Sequence, residues 1–214
     1  MKFSIATATA LVGGLSNPGK MPGYSYSISA HLCRVGGKLR KVKGSVCEKC
    51  YALKNRYLWR PIPGAMERRL KCMFNPRWVE AMAFLLNERA EKHPFFRWFD
   101  SGDLQSVAML ARICQVAEKS PTVKHWLPTR EFSIVAEYVD KGGIIPRNLC
   151  IRLSSLMIDG PAPRALSVRL GVKTSGVTAC HFRATCPATL THGKCGECRK
   201  CWSRSVSTVR YLAH

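Results

Sequence analysis

The chain has 214 residues, 46% of them hydrophobic, enough to bury a sizeable core without disulfide or metal staples. No apolar run approaches the roughly 18 residues that a membrane-spanning helix needs, so an integral helical membrane protein is excluded. With 34 Lys and Arg against 13 Asp and Glu, the formal charge is +21, which makes nucleic acid or another polyanion a candidate partner, although metal-bound thiolates would lower that figure.

Met1-Lys2 and the apolar Ala/Thr-rich segment after it imitate a secretory signal. Eleven cysteines, an odd number in arrangements suited to metal, argue instead for a reducing cytoplasm. Phe3 to Val12 and Tyr24 to Ala30 carry short strand-compatible patterns, separated by the turn residues Ser16-Asn17-Pro18-Gly19 and Pro22-Gly23. A basic loop from Arg34 to Ser45 follows, then a helical region interrupted at Pro61 and Pro63. A stronger helix starts at Pro76 and places Trp78, Met82, Leu85 and Leu86 on one face.

Phe95 to Phe99 reads as a buried strand. The turn Asp100-Ser101-Gly102-Asp103 comes next, with Asp103 as N-cap of a helix that buries Val107, Leu110, Ala111 and Cys114. Thr122 to Leu127 is the next strand, Thr129 to Val139 the next helix, ending at Gly142-Gly143, and Leu149 to Leu153 a further strand. Asp159 to Gly176 reads as a loop, Val177 to Phe182 as a last inner strand and Ser205 to Leu212 as an edge strand. Strands alternating with helices indicate a single α/β domain over 1–214, a partial or complete (β/α) barrel, with a doubly wound sheet as the alternative.

Two groups of cysteines stand out. Cys195, Cys198 and Cys201 form C-x2-C-x2-C, preceded by Cys186, and Cys33 precedes the pair Cys47-Glu-Lys-Cys50. Short turns of this spacing aim several thiolates at one inorganic centre, as iron–sulfur clusters require. Zinc uses similar pairs, so the spacing alone does not name the metal. These seven residues are the candidate ligands, with Cys180 available as an eighth. The fold is expected to bring the N- and C-terminal cysteines together at one metal site. His181 and His192 read as polar neighbours, Cys72, Cys114 and Cys150 as packing residues, and Trp202 as a shield against water. Ser101, Asp103 and Arg130 lie where strands give way to loops, so they are candidates to line a pocket, Asp103 as an acceptor or base and Arg130 as an anion binder.

Cys33, Cys47-Glu-Lys-Cys50-Tyr51-Ala52, Arg97-Trp98-Phe99-Asp100-Ser101-Gly102-Asp103, Pro128-Thr129-Arg130 and Cys186-Pro187-Ala188 before Cys195, Cys198, Cys201 and Trp202 together resemble the bacteriophage gene product 88 family. That resemblance implies a phage protein made in the host bacterial cytoplasm. More distantly, Cys47-x2-Cys50-Tyr51 is similar to the end of the C-x3-C-x2-C loop of radical S-adenosylmethionine enzymes. It implies a [4Fe-4S] cluster early in a β/α barrel, with an open iron that binds S-adenosylmethionine. Here thirteen residues rather than three separate Cys33 from Cys47, and Ser101-Gly102-Asp103 stands in place of a Gly-Gly-Glu turn. The resulting expectation is an iron–sulfur protein with one or two [4Fe-4S] clusters and a redox role, served by a host electron donor or a small-molecule ligand. The alternative is a zinc-stabilised basic protein that binds nucleic acid.

Overall fold

The computed structural model describes residues 3–213. Met1 and Lys2, the start of the signal-like segment, lie outside the described residues. The apolar segment after them is not a strand but helix α1 (Ile5–Val12). Ser4 and Thr7 close a capping box at its start, and Gly13, at φ 77°, ends it in the left-handed conformation. These end signals, with three alanines between them, outweigh the β-branched residues. Among the described residues no helix is long and apolar enough to cross a membrane.

Six strands form one sheet: β1 (Tyr24–Tyr26), β2 (Phe95–Trp98), β3 (Lys124–Thr129), β4 (Leu149–Ile158), β5 (Lys173–Thr178) and β6 (Thr208–Leu212). Every neighbouring pair is parallel, and the spatial order follows the chain from β1 to β6. A doubly wound sheet reverses its order at a switch point, and this one does not. The sheet is open, with β1 and β6 at its edges, so a complete barrel is not formed. Because right-handed crossovers between strands in sequential order all pass on the same side, one face receives the helices.

On that face Tyr26, Phe96, Trp98, Leu127, Ile151 and Leu153 meet α1, α4 (Trp78–Asn87), α5 (Val107–Lys119) and α6 (Phe132–Asp140) in the main core. The Tyr26 hydroxyl lies 2.7 Å from the carbonyls of both Val12 and Arg69 and accepts from Trp78 Nε1, so a buried polar group ties three segments together. Cys114 and Cys150 are buried packing residues, as expected. The expected cap is corrected: Ser106, not Asp103, caps α5, its hydroxyl accepting from Met109 N. The expected loop from Asp159 to Gly176 also contains a short helix, α7 (Arg164–Arg169), and the start of β5.

The connection from β5 to β6 carries no α-helix. Of its 3-10 turns, His181–Arg183, Pro187–Leu190 and Lys200–Trp202, the last folds against the face the helices leave bare. Cys201, Trp202, Trp126 and Val209 form a second small core there, with Trp202 Nε1 donating to Phe96 O at 2.9 Å.

Candidate functional site

The N-terminal thiols collect beyond the C-terminal ends of the strands. Cys33 immediately precedes α2 (Arg34–Leu39), whose first amides, Arg34 N and Val35 N, donate to Glu131 Oε1 at 3.1 and 2.8 Å. A bridge between Ser45 and Met157 ties the following loop to the end of β4 and carries Cys47 with it. Gly36 leaves the room these thiols need: a methyl group there would sit 3.5 Å from Cys47 Sγ and 3.8 Å from Cys33 Sγ. Cys50 lies within electrostatic reach of both. Burial pushes the Cys33 thiol up to about 12 and raises that of Cys47, so in the metal-free protein both are protonated at neutral pH.

Asp103 and Arg130 belong to this place. Asp103 acts electrostatically on Cys33 and Cys47, and Arg130 on Cys47. The Asp103 carboxylate accepts from Thr129 Oγ1 at 2.6 Å, Leu104 N at 2.8 Å and Arg130 N at 2.9 Å, and Arg130 Nε donates to Ser155 O. Burial nevertheless lifts Asp103 to about 6, against the opposing pull of those hydrogen bonds. Ser101 is buried on the adjoining turn, and its hydroxyl has no partner. Gly102, at φ 83°, holds that turn against Ile28, where a Cβ would come within 2.8 Å of the Ile28 carbonyl oxygen.

The raised pKa sets a pH dependence. A carboxyl whose folded value lies above its ordinary 3.8 favours folding at low pH and loses that contribution as pH rises through about 6. Between about pH 4 and pH 7 the metal-free protein should lose up to about 3 kcal/mol of stability through this group. Asp103→Asn should lack that decline, although it is less stable at low pH. Urea titrations of both proteins across this range check the difference.

The C-terminal thiols lie elsewhere, which corrects the expectation of one shared site. Cys195 N donates to Lys20 O just before β1, Cys186 N to Arg210 O on β6, and Cys201 Sγ lies 3.2 Å from Tyr211 Oη. With Trp202 on Phe96, the set is held on the helix-free face. Cys186 acts electrostatically on Cys195 and Cys201, and Cys198 on Cys186 and Cys195. Burial raises Cys186 and Cys195 and pushes Cys201 up to about 12. Cys180, considered as an eighth ligand, precedes a separate turn after β5. His181 and Cys186 line a common cavity of about 430 Å³, and His192 sits in a turn at φ 52°. Among the described residues, no group of three or more His, Cys, Asp or Glu is arranged to hold a single metal ion.

Two arginines on the helix-free face escaped the sequence reading. Arg152 is fully buried, and its guanidinium donates to the carbonyls of Cys201, Thr174, Lys200 and Ser203 at 2.7–3.0 Å. Arg97 lies over the Trp126 ring at 4.4 Å. It is within electrostatic reach of Tyr51 and Asp100 on one side and of Cys195 and Cys201 on the other. Asp100, on the turn expected to line a pocket, accepts from Ser25 Oγ, Ser27 Oγ and Tyr57 Oη, and its carbonyl from Tyr51 Oη. A charged residue inside a run such as Phe95-Phe96-Arg97-Trp98 was the available signal, because a buried strand spends no position on an unpartnered cation.

A family model described as Gene product 88 matches residues 4–204. No curated protein matches the chain, and no solved structure does.

Proposed function

The chain belongs to the gene product 88 family, a bacteriophage family, and from that premise we propose that it is an iron–sulfur redox protein with two separate centres. Cys33, Cys47 and Cys50 would hold one cluster, and Cys186, Cys195, Cys198 and Cys201 the other. The observation that carries this reading is the pair of arginines beside the C-terminal thiols. Neither Arg97 nor Arg152 joins an ion pair among the described residues, yet Arg152 is fully buried and Arg97 Nε is buried without a partner. Hydrogen bonds to carbonyls solvate a buried guanidinium without neutralising it, and an anionic thiolate centre beside it would supply the missing counter-charge. The all-thiol donor sets fit a cluster, and positive neighbours favour its reduced, more negative state.

When bound, the clusters supply one-electron chemistry. Four thiolates leave no iron open, which suits the C-terminal set to passing electrons from a host donor. Three thiolates leave one open, which suits the N-terminal set to binding a small ligand, S-adenosylmethionine among the candidates. The chain's own groups then have defined tasks: Arg130 draws an anionic group toward the strand ends, and Asp103, titrating near 6, holds or releases a proton beside it. Arg97 and Tyr51 stand between the two sets. Parallel strands in sequential order, followed after the first strand by a three-thiol loop, support a partial-barrel, radical-enzyme-like reading of the same site.

Anaerobic purification followed by iron, acid-labile sulfide and zinc analysis tests this. The expected result is a brown protein with near-equal iron and sulfide whose visible absorption bleaches with dithionite. A colourless protein with stoichiometric zinc would sink the redox reading, and the charge of +21 would then direct attention to zinc-stabilised nucleic-acid binding.

A further inference from the structure

A second cavity, of about 430 Å³, opens beside the ends of β4 and β5 and the first half of β6, where the last crossover brings no α-helix to cover the sheet. Its lining includes Arg164, Arg183 and Arg210, from α7, a 3-10 turn and β6 respectively, facing one carboxylate, Asp159. That carboxylate is already engaged: it accepts from Thr178 Oγ1 at 2.6 Å and Ala179 N at 3.2 Å. None of the three arginines joins an ion pair among the described residues. Three guanidiniums from separate elements thus border one space with a surplus of positive charge.

The floor is polar and uncharged. Thr178 and Thr208 line the cavity, and Gly176 between them brings no side chain. Beneath it lies Ser155, 1% exposed, whose hydroxyl has no hydrogen-bond partner and would stand 3.6 Å from a Cβ at Gly176. A buried hydroxyl without a partner calls for a ligand atom or water to satisfy it.

We infer that this cavity binds a phosphate group, gripped by the Arg164, Arg183 and Arg210 guanidiniums and met from below by hydroxyls. Planar guanidiniums match phosphate oxygens in pairs, and the volume suits a small phosphate ester. The phosphate comes either from a free ester or from the backbone of a nucleic-acid strand. This site is independent of the clusters and stands whether or not the redox reading does.

The test is calorimetric titration of inorganic pyrophosphate into the full-length protein, with Arg164→Gln/Arg210→Gln as the variant and Lys92→Gln/Lys119→Gln, exposed elsewhere, as the charge-matched control. The expected result is saturable binding that the arginine pair weakens by about tenfold or more and the lysine pair leaves within about twofold. Arg183→Gln alone, at an exposed side chain, repeats the test should the double variant unfold. No saturable binding, or equal weakening by both double variants, overturns the proposal. Labelled oligothymidylate then separates the sources: displacement by pyrophosphate together with loss in the arginine variant assigns a nucleic-acid strand, and insensitivity to both assigns a free ester.

Discussion

Exchanging Cys33, Cys47 and Cys50 together for serine should leave a folded protein with about four iron atoms per chain, half of a wild-type complement of about eight. Exchanging Cys186, Cys195, Cys198 and Cys201 should remove the other half. The partition follows from geometry: the first set stands beyond the strand ends beside Asp103 and Arg130, and the second lies on the helix-free face beside Arg152 and Arg97. One shared cluster predicts something different, because either exchange would then abolish all iron and sulfide. Iron and sulfide per chain, measured after anaerobic reconstitution of both variants, decide between the two arrangements. Circular dichroism confirms that each remains folded.

Arg152→Met should be the most damaging single exchange of a charged residue, lowering stability by about 4 kcal/mol or more. Methionine roughly fills the space, but it leaves the carbonyls of Cys201, Lys200, Ser203 and Thr174 without the donors that now satisfy them. Three of these four lie in the C-terminal cysteine segment, so the damage should begin there. Hydrogen exchange should show protection collapsing around Lys200 to Ser203 while α4 and α5 stay protected, and the C-terminal share of the iron should be lost. Arg169→Met is the comparison, because its ion pair with Asp140 is exposed on both sides and should cost less than about 1 kcal/mol. Equal effects of the two exchanges would mean that the guanidinium of Arg152 does not clamp the segment to the sheet.

Much of the helix-bearing half was legible in the sequence. Trp78, Met82, Leu85 and Leu86 share a buried face as their spacing required, and Phe95 to Trp98, Leu149 to Leu153 and the final edge strand all became strands. Where reading failed, short-range signals competed. Phe3 to Val12 has enough β-branched residues to pass for a strand, and only the pairing of Ser4 with Thr7 and the turn at Gly13 decides for a helix. Asp103 followed a turn and preceded a helix, which is also how a cap reads; its actual partners, Thr129 and Arg130, are distant in the chain. For the site, spacing picked out both groups of thiols, and position at strand ends named Asp103 and Arg130 separately as pocket candidates; the hydrogen bond between them comes from the structure. Spacing could not say that the two groups of thiols lie apart, because that depends on which face each crossover covers. Arg97 and Arg152 were missed because a strand pattern reports alternation, not which side carries the helices.

The pairing of β1 with β2 joins Tyr24–Tyr26 to Phe96–Trp98 across the whole segment from Ser27 to Pro94. Closing so long a loop is entropically costly and slow, while β2 to β5 are joined by shorter crossovers that can form as they leave the ribosome. The first strand must therefore wait for the second to be synthesised. During that interval Cys33, Cys47 and Cys50 lie in an unclosed loop, open to solvent and to oxidants. Docking of β1 ends that window, so on the proposed reading the order of synthesis would leave these thiols accessible to a cluster before the core closes.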